Sequence, residues 1–130
     1  MTNRNTYNRF LLQPAKISTS GLIRLFILHY LVNRKAEMYG AEMMEWMEQE
    51  FEEVSDWSPS SGSVYPILKR LANQGYLSYY KEDEMVNSKK FYRITPTGRD
   101  YYKEQKKKYD PIFKEAIQML KISIKEIYGE

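Results

Sequence analysis

Hydrogen-bonding and cationic side chains are concentrated around one predicted helix, in the stretch SPSSGSVYPILKRLANQG, Ser58 to Gly75. Apolar residues recur at the spacing of a buried helical face, at Val64, Ile67, Leu68 and Leu71. The opposite face and its flanks comprise Gly62, Tyr65, Pro66, Lys69, Arg70 and Asn73. Small, planar and cationic residues in this arrangement suit a helix that enters the major groove of DNA, where side chains reach base edges.

Pro66 lies inside this predicted helix, where a proline typically costs about 3 kcal/mol. A helical wheel places it on the outer face near the helix start. There the carbonyl of Gly62, which loses its helical partner, can bond water or a ligand. We therefore expect a smaller cost than in a buried turn, and we expect Pro66 to belong to the surface that faces DNA.

Two further groups of residues could bind phosphate. The start of the helix carries Ser58, Ser60, Ser61 and Ser63. Each of these serines either caps the helix or donates to a phosphate attracted by the free N–H groups and the helix dipole. A predicted hairpin carries Lys89, Lys90 and Arg93, which could contact phosphates beside the groove. Its tip is acidic from residue 82 to 84 and is expected to stand clear of DNA.

The elements that position these residues are three helices, a hairpin and a long helix, in that order. LIRLFILHYLV predicts a central core helix, and Gly40 to Phe51 a second helix with a Met-rich face. YLSYYK and KKFYRI predict two strands, and Thr95 with Pro96 is a favourable helix start. The predicted fold class is mainly α with a small β-hairpin, a winged helix-turn-helix plus a long C-terminal dimerisation helix. Its parts are an N-terminal arm (1–18), the DNA-binding domain (19–96) and the dimerisation helix (97–130).

The last helix carries apolar residues that largely keep steps of three, four or seven, the spacing of two packed helices. They are Tyr102, Tyr109, Phe113, Ile117, Leu120, Ile124 and Ile127. This stripe is longer than the small core can cover, so a second copy of the chain is the predicted partner. The alternative is that the helix folds back on its own domain.

Charge is distributed in blocks along the 130 residues, whose net charge is +3. Residues 1–36 carry six bases and no acid, whereas residues 37–57 carry eight acids and no base. This asymmetry indicates that one surface binds a polyanion and another avoids it, unless the charges are ordinary solvated helix faces.

Composition excludes several classes of protein. Cysteine is absent, so no disulfide or thiolate metal site can form, and we predict neither a metal nor a cofactor. The longest apolar run, residues 25–32, is too short to span a bilayer, and we expect a cytoplasmic protein without membrane contact. One histidine and no Gly-rich phosphate loop leave little for catalysis, so an enzyme is not expected. The histidine, His29, lies within an apolar helix and is interpreted as a core or helix-contact residue, with pH sensing as the alternative.

The motif from Trp57 to Gly75 resembles the signature W-S-P-S-x-G-[ST]-[LV]-Y-P-[IL]-L-K-R-L-x-x-x-G of the PadR family of winged-helix transcriptional regulators. YGAEM, Tyr39 to Met43, is similar to the family's HGYEI, and FYRIT with Gly98 follows at the usual distance. The resemblance implies a homodimer that binds a pseudo-palindromic operator and usually represses a nearby gene.

The resemblance also implies a small aromatic or drug-like effector bound between the core and the dimerisation helix. Aromatic residues that could line such a pocket are Phe26, Tyr30, Tyr102, Tyr109 and Phe113. The alternative is that they belong only to the core and the dimer contact.

For the whole chain, the first hypothesis is a sequence-specific DNA-binding repressor. The second is a winged helix that binds another protein through its acidic second helix.

Overall fold

The computed structural model describes residues 10–84 and 88–129, with only the backbone for residues 10–13. Over these residues the helices are α1 (Thr19–Asn33), α2 (Gly40–Phe51), α3 (Ser61–Asn73) and α4 (Pro96–Tyr128). The strands are β1 (Phe10–Leu12), β2 (Ile17–Ser18), β3 (Met38–Tyr39), β4 (Leu77–Lys81) and β5 (Lys90–Ile94). The predicted class, mainly α with a small hairpin and a long last helix, is confirmed. No helix in the described ranges is both long and apolar enough to cross a membrane.

The core forms where α1 meets α2, α3 and the sheet. Helix α1 is the central element, because apolar side chains on several of its faces are buried, among them Ile27, Leu28 and Tyr30. Helix α2 contributes Met43 and Met47, as its Met-rich face predicted. The predicted stripe of α3 is buried in full, at Val64, Ile67, Leu68 and Leu71. Helices α2 and α3 are thus packed together as the two helices of a helix-turn-helix.

The sheet has three antiparallel strands in the order β3-β5-β4, where the sequence predicted a two-stranded hairpin. Strand β3 has only two residues, and it exists because Met38 and Tyr39 pair with Tyr92 and Phe91 of β5. In the hairpin itself Tyr79 is opposite Tyr92, and Ser78 is opposite Arg93. Since side chains alternate across a strand, Tyr92 and Arg93 lie on opposite faces of the sheet.

Helix α4 begins as predicted. The Thr95 side chain accepts a hydrogen bond from the Gly98 N–H at 2.9 Å, and Pro96 is the first helical residue. Gly98 lies so close to the hairpin that a Cβ atom there would be 2.0 Å from the Tyr76 carbonyl oxygen. The first half of α4 then packs on α1 through Tyr102 and Tyr109, both buried.

The predicted N-terminal arm, 1–18, falls partly outside the described residues. Its described part is a short antiparallel pair, β1 and β2, joined by a 3-10 turn. Ala15 and Ile17 are buried in a small second core with Ala116 of α4. The described part of the N-terminal arm therefore packs against the middle of α4.

Candidate nucleic-acid interface

Helix α3 begins with a side-chain cap supplied by Ser60. Its hydroxyl oxygen accepts a hydrogen bond from the Ser63 N–H at 3.2 Å, and the two hydroxyl groups are 3.1 Å apart. Of the two interpretations of the serine cluster, the structure thus gives Ser60 the capping role. Ser61 and Ser63 remain exposed beside it and are able to donate to an anion.

The outer face of α3 has the composition that the helical wheel predicted. Pro66 lies inside the helix and is exposed. Gly62, Lys69, Arg70 and Asn73 are also exposed. The helix therefore accommodates Pro66 at a position where the carbonyl of Gly62, which has no helical partner, is near solvent. The buried apolar stripe on the other side of the helix holds α3 in the core.

A groove of about 620 Å³ runs between α3 and the wing, which is the β4–β5 hairpin. Helix α3 contributes Tyr65, Lys69, Ala72 and Asn73, and the wing and its loop contribute Tyr79, Ser88, Lys89, Lys90 and Tyr92. Three ammonium groups and several phenols therefore line one concave surface, which suits an anionic, hydrogen-bonding ligand such as the edge of a DNA duplex.

The two wing lysines are each held over an aromatic ring. Lys89 Nζ lies 4.3 Å from the ring centre of Tyr39, and Lys90 Nζ lies 4.8 Å from that of Tyr79. At these distances the ring attracts the cation. The contacts hold both ammonium groups at the groove and reduce the freedom that they would lose on binding phosphate.

Arg93 does not join Lys89 and Lys90, although the sequence grouped the three. It projects from the face of the sheet opposite Tyr92, and it does not line the groove. Its guanidinium donates to Glu37 from Nη2 at 2.7 Å and from Nε at 3.1 Å. The Tyr80 hydroxyl donates to the same carboxylate, and these hydrogen bonds from Tyr80 and Arg93 lower the pKa of Glu37. Arg93 thus has an anionic partner within its own chain.

Sequence reasoning missed part of the groove. Tyr39 at the end of β3, and Gly40 and Ala41 at the start of α2, line it together with Tyr79 and Tyr92. The first three lie in the YGAEM motif, whose resemblance to a family pattern predicts no role at the groove. Alternation along β4 could have identified Tyr79, since it predicts one tyrosine facing α3. At the acidic tip, residues 85–87 lie outside the described part, and the expectation that the tip stands clear of DNA stays a prediction.

A second cavity, of about 260 Å³, lies between α1 and α4. Its lining includes three of the five aromatic residues predicted for an effector pocket, Phe26, Tyr102 and Phe113, together with Leu22, Leu25, His29 and Lys106. The other two are elsewhere: the Tyr30 ring packs edge-on against Trp46 at 5.1 Å, and the Tyr109 hydroxyl accepts from Arg24 at 3.3 Å. The pocket therefore has fewer aromatic residues in its lining than predicted, and His29, Tyr102 and Lys106 give it a polar end.

That polar end is a small hydrogen-bond network. His29 Nδ1 lies 3.0 Å from the Tyr102 hydroxyl and 3.1 Å from the Asn33 amide nitrogen. Burial, and the positive charges of Lys106 and Arg34, lower the pKa of His29 below its ordinary 6.5. A neutral imidazole whose Nδ1 accepts is thus the favoured form, and it connects α1 to α4.

The predicted dimerisation stripe of α4 has a first half that is largely covered by the same chain and a second half that is exposed. Tyr102 and Tyr109 are buried within their own chain, and Phe113 is half-buried beside the 260 Å³ cavity. Farther along, Ile117, Leu120, Ile124 and Ile127 are between 49% and 68% exposed. The first half of the stripe therefore serves the intrachain contact, and the second half leaves an apolar surface without cover among the described residues.

Helix-turn-helix, wing, lysine-lined groove and long last helix together define a winged helix-turn-helix protein of the kind that contacts duplex DNA. The chain belongs to the PadR-like family of transcriptional regulators, whose family model matches residues 27–104. It is accordingly a transcriptional regulator and not an enzyme.

Individual relatives agree with this assignment. The transcriptional regulator Rv3488 of Mycobacterium tuberculosis is 31% identical over 97 residues, which are 73% of this chain and 82% of that protein. A transcriptional regulator from Clostridium thermocellum, Cth-833, is similar in structure, with a TM-score of 0.63 at 26% identity over 76% of this chain and 92% of that one. PadR of Bacillus subtilis, solved in complex with operator DNA, gives a TM-score of 0.52 at 25% identity over 64% of this chain and 44% of that one.

Proposed function

We propose that the chain binds duplex DNA as a homodimer, recognises a pseudo-palindromic operator and represses transcription from it. The observation that carries the proposal is the groove between α3 and the wing, where Lys69, Lys89 and Lys90 meet. The PadR of Bacillus subtilis that is similar to this chain was solved with operator DNA, which supports the same partner here.

Different residues of the groove and of its neighbouring surface contact the bases and the phosphates of DNA. The outer face of α3 reads base edges, with Tyr65, Lys69 and Asn73 as the side chains of suitable chemistry. Lys89 and Lys90 neutralise phosphates and supply affinity that depends on salt and not on sequence. Ser61 and Ser63 donate to a phosphate at the start of α3.

The exposed second half of α4 supports the proposed dimer. Ile117, Leu120, Ile124 and Ile127 follow one another at steps of three and four, so they lie along one side of the helix. Covering them with the same stripe of a second copy removes apolar surface from water in both copies. A two-fold dimer presents two α3 helices, so the half-sites are expected about one helical turn, roughly 34 Å, apart.

Selection from a duplex pool with a randomised centre of about 30 base pairs tests the proposal. The wild-type protein should enrich one symmetric sequence and bind it with about nanomolar affinity, far more tightly than a shuffled duplex. Lys69→Ala should remove that discrimination, Lys90→Ala should weaken both duplexes about equally, and Lys103→Ala on α4 serves as the matched control. Equal binding to random DNA would show that the protein is not sequence-specific. No binding even at low salt would favour the alternative, a protein-interaction module that uses the acidic surface of α2.

We also propose that a small aromatic effector releases the DNA. The supporting observation is the cavity between α1 and α4, whose apolar wall contains Phe26 and Phe113 and whose polar end contains His29, Tyr102 and Lys106. A ligand there would contact both helices and so alter how α4 sits on the domain. Screening aromatic compounds for release of the selected duplex, with Phe26→Ala as a variant that should lose the response, tests this second role.

A further inference from the structure

The ring of Tyr65 on α3 packs directly on the backbone at the start of α2. A Cβ atom on Gly40 would lie 2.6 Å from Tyr65 Cε1, 2.9 Å from Cζ and 3.0 Å from the hydroxyl oxygen. Gly40 is buried, whereas 44% of Tyr65 is exposed, and both residues line the groove. Part of the ring is thus fixed by α2 while the rest faces the space proposed for DNA.

The conformation of Gly40 does not require glycine. Its φ lies outside the left-handed region, in contrast with Gly75 at 82° and Gly129 at 76°. Gly40 begins a helix, and within helices alanine is the better helix former. The three atoms nearest to its missing Cβ all belong to Tyr65. The close approach of that ring is therefore the reason that no side chain fits.

We infer that Gly40 is a positioning residue for DNA recognition, which sets where the Tyr65 phenol lies in the groove. The inference rests on the proposed DNA-binding function. An alanine at Gly40 would require Cε1 to retreat by about 0.8 Å, from 2.6 Å to the 3.4 Å at which ordinary contact begins. Recognition geometry must be held to about 0.5 Å. One methyl group, 25 residues away from Tyr65 in the chain, thus displaces the phenol relative to the base edge that it contacts.

A double-mutant cycle on the duplex that the wild type selects tests this positioning role. Wild type, Gly40→Ala, Tyr65→Ala and the double variant are compared by the ratio of Kd for the shuffled duplex to Kd for the selected duplex. Gly40→Ala should lower this ratio about tenfold, the size of one base-edge contact, and leave Kd for the shuffled duplex unchanged because the lysines are untouched. Tyr65→Ala should lower the ratio to a similar extent, and adding Gly40→Ala to it should change nothing further.

Thermal unfolding of the four proteins separates positioning from a structural role. If Gly40→Ala lowers Tm and Tyr65→Ala restores it in the double variant, the steric contact is supported even where the single variant folds poorly. If both Gly40→Ala proteins fail to fold, α2 itself needs the glycine and the inference is overturned. It is also overturned if Gly40→Ala keeps the wild-type ratio, or if it lowers the ratio further in the Tyr65→Ala background. If the wild type selects no sequence at all, the proposed function fails, and the inference fails with it for that separate reason.

Discussion

Removing Lys90 from the wing should make DNA binding less dependent on salt, whereas removing Arg93 together with Glu37 should not. Lys89 and Lys90 line the groove, so a dimer offers four such contacts, which contribute a slope of about −3.6 in log K against log salt. From about 50 to about 200 mM salt, this slope alone reduces affinity about 150-fold. Lys90→Ala removes two of the four contacts, so the slope should become shallower by about 1.8, whatever other contacts add.

The comparison variant removes Arg93 together with its anionic partner. Arg93 and Glu37 form an ion pair on the opposite side of the sheet, and replacing both by glutamine leaves the net charge unchanged. Fluorescence anisotropy on a labelled, shuffled duplex over this salt range gives the slope for each protein. The double variant should keep the wild-type slope. The contradicting result is that the slope of the double variant becomes shallower by as much as that of Lys90→Ala. In that case Arg93 of the wild type leaves Glu37 to bind phosphate, and our separation of the two faces of the wing is wrong.

Three further predictions concern α4 and its anchors. Ile124→Asp should weaken the dimer at least about tenfold in analytical ultracentrifugation, because it places a carboxylate in the apolar stripe, whereas Lys125→Asp, which is not three or four residues from any member of that stripe, should not. Thr95→Ala removes the cap that accepts from Gly98 and should lower the free energy of unfolding by about 1 kcal/mol in urea titrations. The lowered pKa of His29 means that the unfolded chain binds more protons near pH 6.5, so stability should fall as pH decreases through that range. His29→Gln should flatten this dependence; an unchanged slope would assign it to other groups.

Features determined by neighbouring residues could be predicted from the sequence. The bounds of α2, the Thr95 cap and the buried stripe of α3 depend on local spacing and on capping chemistry. The exposure of Pro66 also followed, because position on a helical wheel needs only the helix itself. The outer face of α3 was therefore identified with its correct composition.

Features determined by distant residues could not be predicted in this way. Strand β3 is two residues long and forms only because β5 lies beside it. Arg93 is held by Glu37, 56 residues earlier, and a carboxylate at that separation leaves no signal in the local pattern. The division of the stripe on α4 depends in the same manner on α1 and on the second core around Ala15. Periodicity showed that the stripe is apolar, but packing decides which of its residues remain exposed.

The manner in which α4 is attached has a mechanical consequence. A helix of 33 residues is about 50 Å long, and its attachments to the rest of the described chain lie in about its first three quarters, with residues 120–129 exposed. It is a lever. The small second core at Ala116 would move with the helix, so a rotation of about 5° at its base would move the far end by about 4 Å, close to the rise of one base pair, 3.4 Å. In a dimer joined near that end, a change at the His29–Tyr102 contact that rotated α4 by this angle would change the distance between the two recognition helices by about the rise of one base pair.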